Sequence, residues 1–171
     1  DLERFDPVGV TPERVQALRE AWSVTDNGRT VFLLAGRLTR IKGHLTVIEA
    51  AARLKAERGG DFVILFAGDD QGRSGYSAEL SAAIAGAGLE DEVRMIGHCD
   101  DMPAAYLLAD VALLPTLVPE SFGRAAVEPQ AMGRPVIAAG HGAVVETVVD
   151  GATGWLVTPG DAQSWARALS R

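Results

Sequence analysis

The chain has 171 residues, a formal net charge of −7, 47% hydrophobic residues and a slightly positive mean hydropathy. That length suits one domain over residues 1–171, able to bury about 70% of its unfolded surface, and the composition excludes a disordered chain. The acidic balance excludes a surface-wide grip on nucleic acid or anionic lipid, and no apolar run approaches the ~20 residues of a bilayer span. A single cysteine, Cys99, excludes an intrachain disulfide and a thiolate metal cluster, and fits the cytoplasm. The opening "DLERFDPVGV" has no initiating Met and no signal-peptide pattern; it reads as an acidic connector entered midway along a longer protein.

Along the chain, strand and helix signals alternate. "TPERVQALREAW" predicts a helix over 12–23, with Thr11 as N-cap and Pro12 at the first helical position. "TVFLLAG" is an apolar strand closed by Gly36, and "GHLTVIEAAARLKAERGG" is a helix ended by a glycine pair. "DFVILFAGDD" repeats the strand signal, "YSAELSAAIAGAG" is a helix, and "EVRMIG" is a shorter strand. A short helix in "DDMPAAYLLA" precedes the strand "DVALLP"; then come "ESFGRAAVE", the strand "PVIAAG", a short helix "AVVETVV", the turn "DGATG", the strand "GWLVT" and a last helix "GDAQSWARALSR".

Several strands are apolar at consecutive positions, which a parallel sheet covered by helices on both faces requires. Six such strands predict an α/β fold: a doubly wound, six-stranded parallel sheet with right-handed crossovers. Ligands of such sheets bind outside the carboxyl ends of the strands, so the loops of interest are 36–44, 68–75, 97–101, 115–123 and 139–143.

In "GRLTRIKGH", Arg37, Arg40 and Lys42 fall within six residues that hold no acid, at a strand's carboxyl end and beside the next helix's N-terminal amides. A planar guanidinium with a point-charge ammonium suits a diphosphate. Neither a dinucleotide-binding glycine fingerprint nor a P-loop is present. The Asp69–Asp70 pair lacks the spacing of a metal site, His44, His98 and His141 read as surface residues, Ser121 has no nucleophile-elbow context, and Trp22, Trp155 and Trp165 read as packing. In "ESFGRAAVE", Glu120 precedes a helix that contains Glu128, and the amides of Ser121, Phe122 and Gly123 face the same space. Eight residues of ideal helix turn about 80° beyond two full turns, so the carboxylates would not stack if both were helical. With Glu120 off the helix end, both can line one groove and accept hydrogen bonds from vicinal hydroxyls. Pro129 requires either a late helix start, which would place it near the first turn, or a kink.

Together "AGRLTRIKG", "FAGDD", "RMIGH", "ADVALLPTLVPESFGRAAVEPQAMGRPVIAA" and "VVDGATGWLV" resemble the C-terminal, donor-binding half of retaining GT-B glycosyltransferases, over roughly residues 30–160. That group includes glycogen and sucrose synthases and many bacterial envelope-polysaccharide transferases. The resemblance implies a Rossmann-like half of a GT-B fold that binds a nucleoside-diphosphate sugar, with no cofactor and no metal. Arg37 and Lys42 would neutralise the diphosphate, next to Gly36. Glu120 would hold hexose hydroxyls, and the amides of Ser121, Phe122 and Gly123 the sugar or phosphate. Glu128 would take the ribose, and the main chain around Ile96 and Gly97 the base. "EPQ" replaces the family's usual "EAMA" spelling, and His141 stands where Gly is often found. The family's acceptor glycan or glycolipid is bound by an N-terminal half outside this chain, so donor binding without useful turnover is expected here, with peripheral membrane contact a property of the longer protein. Two other classes fit the architecture: a nucleotide-sugar epimerase-like enzyme, and a non-enzymatic α/β module such as a phospho-receiver. The latter needs an acidic cluster at the end of the first strand, where Gly36-Arg37 stands instead.

Overall fold

The computed structural model describes residues 2–72 and 74–171. Arg73, within the 68–75 loop singled out above, lies outside the described residues. The strands are β1 (Thr30–Ala35), β2 (Phe62–Ala67), β3 (Val93–Gly97), β4 (Val111–Leu114), β5 (Val136–Ala139) and β6 (Gly154–Val157). The helices are α1 (Pro12–Ala21), α2 (His44–Arg58), α3 (Ser74–Gly86), α4 (Met102–Leu108), α5 (Arg124–Ala131), α6 (Val144–Thr147) and α7 (Ala162–Leu169). Among the described residues, no helix is long and apolar enough to cross a membrane.

All six strands are parallel, in the order β3-β2-β1-β4-β5-β6. The side-chain period of two sends Phe32 and Leu34 of β1 to one face and Val31 and Leu33 to the other. The first face is sealed by α2, α3 and α7 through Leu54, Leu80 and Trp165; the second by α4 and α5 through Tyr106 and Ala126. Because both faces are covered, β2 is buried at every position, which is why its sequence shows no alternation.

β1 pairs with β2 on one side and β4 on the other. The chain leaves β1 toward α2 on one face and leaves β4 toward α5 on the opposite face. The chain thus turns to opposite faces after β1 and β4, which makes the carboxyl ends of these two strands the sheet's switch point, the place where ligands of such sheets bind.

Three local expectations need correction. α1 ends at Ala21, before the positive-φ Ser23, and Thr11 occupies the cap position with its backbone alone, its side chain making no capping hydrogen bond. Pro129 is neither near the first turn nor at a late start: it is the sixth residue of eight-residue α5. Its missing N–H removes one helical hydrogen bond, to the carbonyl of Ala125, two residues before the helix ends, so the usual cost of an interior proline is confined to the last turn. His44 is wholly buried rather than on the surface.

Candidate functional site

The loop after β1 is shaped by glycines. Gly36 has φ +155°, and a Cβ there would touch the Lys42 stem at 3.7 Å, so the lysine's aliphatic chain lies across it. A Cβ on Gly68 would come within 1.9 Å of the Gly36 carbonyl oxygen, a close approach of two backbones that only glycine allows. After a 3-10 turn at Arg40–Lys42, Gly43 adopts φ +75° and starts α2. A Cβ at Gly43 would collide with the Pro115 carbonyl oxygen at 1.9 Å, so the Lys42 turn is pressed against the end of β4.

That contact brings two predicted residues together. Lys42 Nζ donates to Glu120 Oε1 at 2.5 Å, with side-chain exposures of 19% and 24%. The cation comes from the loop after β1 and the carboxylate from the loop after β4, so the pair spans the switch point. Glu120 is fixed from behind: the Ala143 amide donates to its carbonyl at 3.1 Å, and a Cβ on Gly142 would sit 2.8 Å from that same oxygen.

The basic island divides. Arg40 is committed to Glu79 by two hydrogen bonds of 2.7 and 2.5 Å and lies over the Tyr76 ring at 5.2 Å. Arg37 is exposed, and its guanidinium donates to Gln71 Oε1 at 3.4 Å. Of the three cations, Lys42 pairs with the Glu120 carboxylate, Arg40 with Glu79, and Arg37 keeps an exposed guanidinium on the same loop.

Glu120 precedes α5, whose N-cap Gly123 has φ +70°, and Ser121 and Phe122 are exposed. Glu128 is the fifth residue of α5 and accepts from the Tyr106 hydroxyl at 3.3 Å. Burial, with the Glu128 charge beside it, pushes the Tyr106 phenol well above its ordinary range, so it stays protonated as a donor. Glu120 and Glu128 thus have different companions, a lysine and a tyrosine. Ile96 is half-buried at the end of β3, next to exposed Gly97 with φ +74°. Asp70 serves its own loop, accepting from Ser77 Oγ at 2.7 Å and the Gly72 amide at 3.0 Å. A cavity of about 410 Å³ lies away from these loops, at the amino ends of the strands between α2 and α7, lined by Thr30, Phe62 and Leu169.

Sequence reasoning missed Thr116, Tyr106 and the supporting role of the 140–143 loop. Thr116 is completely buried, although its position just after "LLP" carries no mark of that. Tyr106 had one available signal: it is the sole polar side chain in the apolar run "AAYLLA".

His44, first residue of α2, packs edge-on against Phe66 at 4.9 Å, and among the described residues neither ring nitrogen has a hydrogen bond of good geometry. Burial lowers its pKa to about 4; Lys42 adds to the effect and the Thr39 main chain opposes it. Because the folded value lies below the unfolded one, the associated stability is present above pH 6.5 and is lost as pH falls toward 4. The full span corresponds to on the order of 3 kcal/mol. Urea unfolding at pH 7 and pH 4.5 should show a larger stability loss for the native chain than for His44→Phe; equal losses would contradict the assignment.

A six-stranded parallel sheet in this order is a Rossmann-like, doubly wound fold, and its superposition on solved glycosyltransferases makes it the Rossmann-like half of a GT-B fold. The sequence pattern of the family described as glycosyl transferases group 1 matches residues 19–171, and the chain belongs to that family. It is 36% identical to a D-inositol 3-phosphate glycosyltransferase of Salinispora arenicola, over all of this chain and 39% of that protein. It superposes with a TM-score of 0.87 and 30% identity on Anabaena Alr3699/HepE, solved in complex with UDP-glucose, over 99% of this chain and 44% of that one. It also superposes on the C-terminal domain of the glycosyl transferase group 1 family protein LpcC of Francisella tularensis, with a TM-score of 0.81 and 28% identity, over 99% of this chain and 85% of that one. The chain thus spans about 40% of the length of the curated relatives it matches.

Proposed function

We propose that these residues hold the donor of a sugar-transfer reaction, a nucleoside-diphosphate sugar, at the sheet's switch point. The carrying observation is the Lys42–Glu120 pair, which puts a partly buried cation and a carboxylate side by side. A diphosphate takes Lys42 as its counterion, with Arg37 on the same loop, and so releases Glu120 to accept hydrogen bonds from sugar hydroxyls. The amides of Ser121, Phe122 and Gly123, at the start of α5, supply donors beside it. Tyr106 occupies one oxygen of Glu128 and leaves the other for a ribose diol. The main chain of Ile96 and Gly97 lies at the end of β3, where the base would rest.

As the bond to the diphosphate breaks, charge develops on the leaving oxygen, and fixed cations stabilise it without reorganising. Lys42 and Arg37 thus perform the neutralisation that a divalent ion performs elsewhere, and EDTA should leave binding unchanged. In the longer protein, the sugar passes with retention of configuration to a glycan or glycolipid of the cell envelope, held by a second domain. That protein works in the cytoplasm, touching the membrane peripherally. By itself this chain binds donor without turning it over.

A thermal-shift panel of UDP, GDP and ADP and their sugars tests this. A ligand at 100 times its dissociation constant adds about 2.7 kcal/mol, on the order of 5–10 °C here. Glu128→Ala should weaken nucleoside diphosphates by about 1–3 kcal/mol, whereas Glu120→Ala should leave the free diphosphate no weaker and weaken only the sugar-bearing donor. No shift with any nucleotide at millimolar concentration, or equal effects of the two substitutions on both ligands, would overturn the assignment.

A further inference from the structure

Thr116 is wholly buried at the head of the loop after β4, and its polar atoms reach three segments. Its hydroxyl lies 2.9 Å from the Val118 carbonyl oxygen and 3.2 Å from that of Ile41. One hydroxyl carries one proton, so the two carbonyls share it. The Ile41 carbonyl also accepts from the Leu117 amide at 2.8 Å, which stitches the 115–118 segment to the turn that ends in Lys42. On the other side, His141 Nε2 lies 3.0 Å from the Thr116 carbonyl oxygen. A carbonyl only accepts, so Nε2 carries the proton. His141 adjoins Gly142 and Ala143, which back Glu120.

We propose that Thr116 is a positioning residue for the sugar-binding carboxylate: with His141 it clasps the loops after β1, β4 and β5, and so sets Glu120 against Lys42. Thr116 touches no substrate; it acts through the backbone on either side of it. The role of Glu120 in this inference rests on the proposed donor site, whereas the clasp itself does not. A loop held at Thr116 and again at the Glu120 carbonyl has little freedom between them, and a carboxylate must be held closely to meet a sugar diol, since misplacement by about 1 Å costs as much as 100-fold.

The test compares the native chain with Thr116→Val, Thr116→Ser and His141→Phe in two measurements. The first is amide hydrogen exchange at Leu117 and Ala143 with no ligand added. The second is the ratio of affinities for UDP-glucose and UDP by calorimetry. Thr116→Val should accelerate exchange at both amides, leave strand amides protected, and lower the UDP-glucose to UDP preference about tenfold, the scale of one lost hydrogen bond. Thr116→Ser, which keeps the hydroxyl, should restore both properties. His141→Phe should move both in the same direction by a smaller factor. Unchanged exchange in Thr116→Val overturns the clasp. Faster exchange with an unchanged preference overturns the positioning role, and so does failure of Thr116→Ser to restore a lowered preference. If the native chain binds neither ligand, the donor-site assignment falls, and exchange alone then decides the clasp.

Discussion

Lys42→Met should weaken binding of a nucleoside diphosphate by about 1.5–3 kcal/mol, roughly 10- to 150-fold, because the lost contact is a hydrogen bond between charged groups. Arg40→Met should change it by less than about twofold, the range expected when a surface charge away from the ligand is removed. Two cations two residues apart are thus expected to behave differently. Arg40 is spent on Glu79 and Tyr76, whereas Lys42 is turned across Gly36 toward Glu120. Calorimetric titration with UDP, or whichever nucleoside diphosphate gives the largest thermal shift, measures both. Equal losses would mean that the loop acts through its summed charge, and the assignment of Lys42 would not stand.

Gly43→Ala should be among the most damaging single substitutions in the chain. A methyl group at Gly43 would meet the Pro115 carbonyl oxygen at 1.9 Å, and φ is +75°. Gly88 separates the two causes, since its φ is +63° with nothing within 4 Å of an added Cβ. Gly88→Ala therefore carries backbone strain alone, about 1–2 kcal/mol. Gly43→Ala adds a backbone collision that parts β4 from the Lys42 turn, so a loss of several kcal/mol is expected, on the order of 10 °C in Tm for a chain this size. Thermal unfolding of the two variants, followed by UDP titration at a temperature where both are folded, checks this. Gly88→Ala should bind normally and Gly43→Ala should not; similar behaviour of the two would show that strain, not the contact with Pro115, governs the position.

The sheet was legible because burial on both faces writes itself as consecutive apolar residues; "FVILFA" could hardly be another kind of strand. The positions of Lys42, Glu120 and Glu128 along their loops and helix were legible as well, through the turn and cap signals around them. What could not be read was partnership. Nothing within "GRLTRIKGH" distinguishes Arg40 from Lys42, because the partner that removes Arg40 is Glu79, a helix away in sequence. Thr116 was invisible for a related reason: its acceptors are backbone carbonyls, which every residue carries. His44 looked like a loop residue because the boundary between turn and helix falls beside it, and burial at a helix start leaves no periodic trace. Pro129 misled because an interior proline is costly in a long helix and much less so two residues from the end of a short one.

The ion pair between Lys42 and Glu120 has a kinetic side. At the proposed donor site, a diphosphate arriving at Lys42 would not fill a gap; it would compete with a carboxylate of the same chain, tethered at very high local concentration. The measured affinity for free nucleotide is then the intrinsic affinity reduced by that rivalry, and Glu120→Gln should bind the spent nucleoside diphosphate more tightly than the native chain does. At the proposed donor site, loss of the sugar would free Glu120 to return to Lys42 and so press the nucleoside diphosphate to leave. In a cycle limited by release, the residue that grips the sugar would also set the turnover rate.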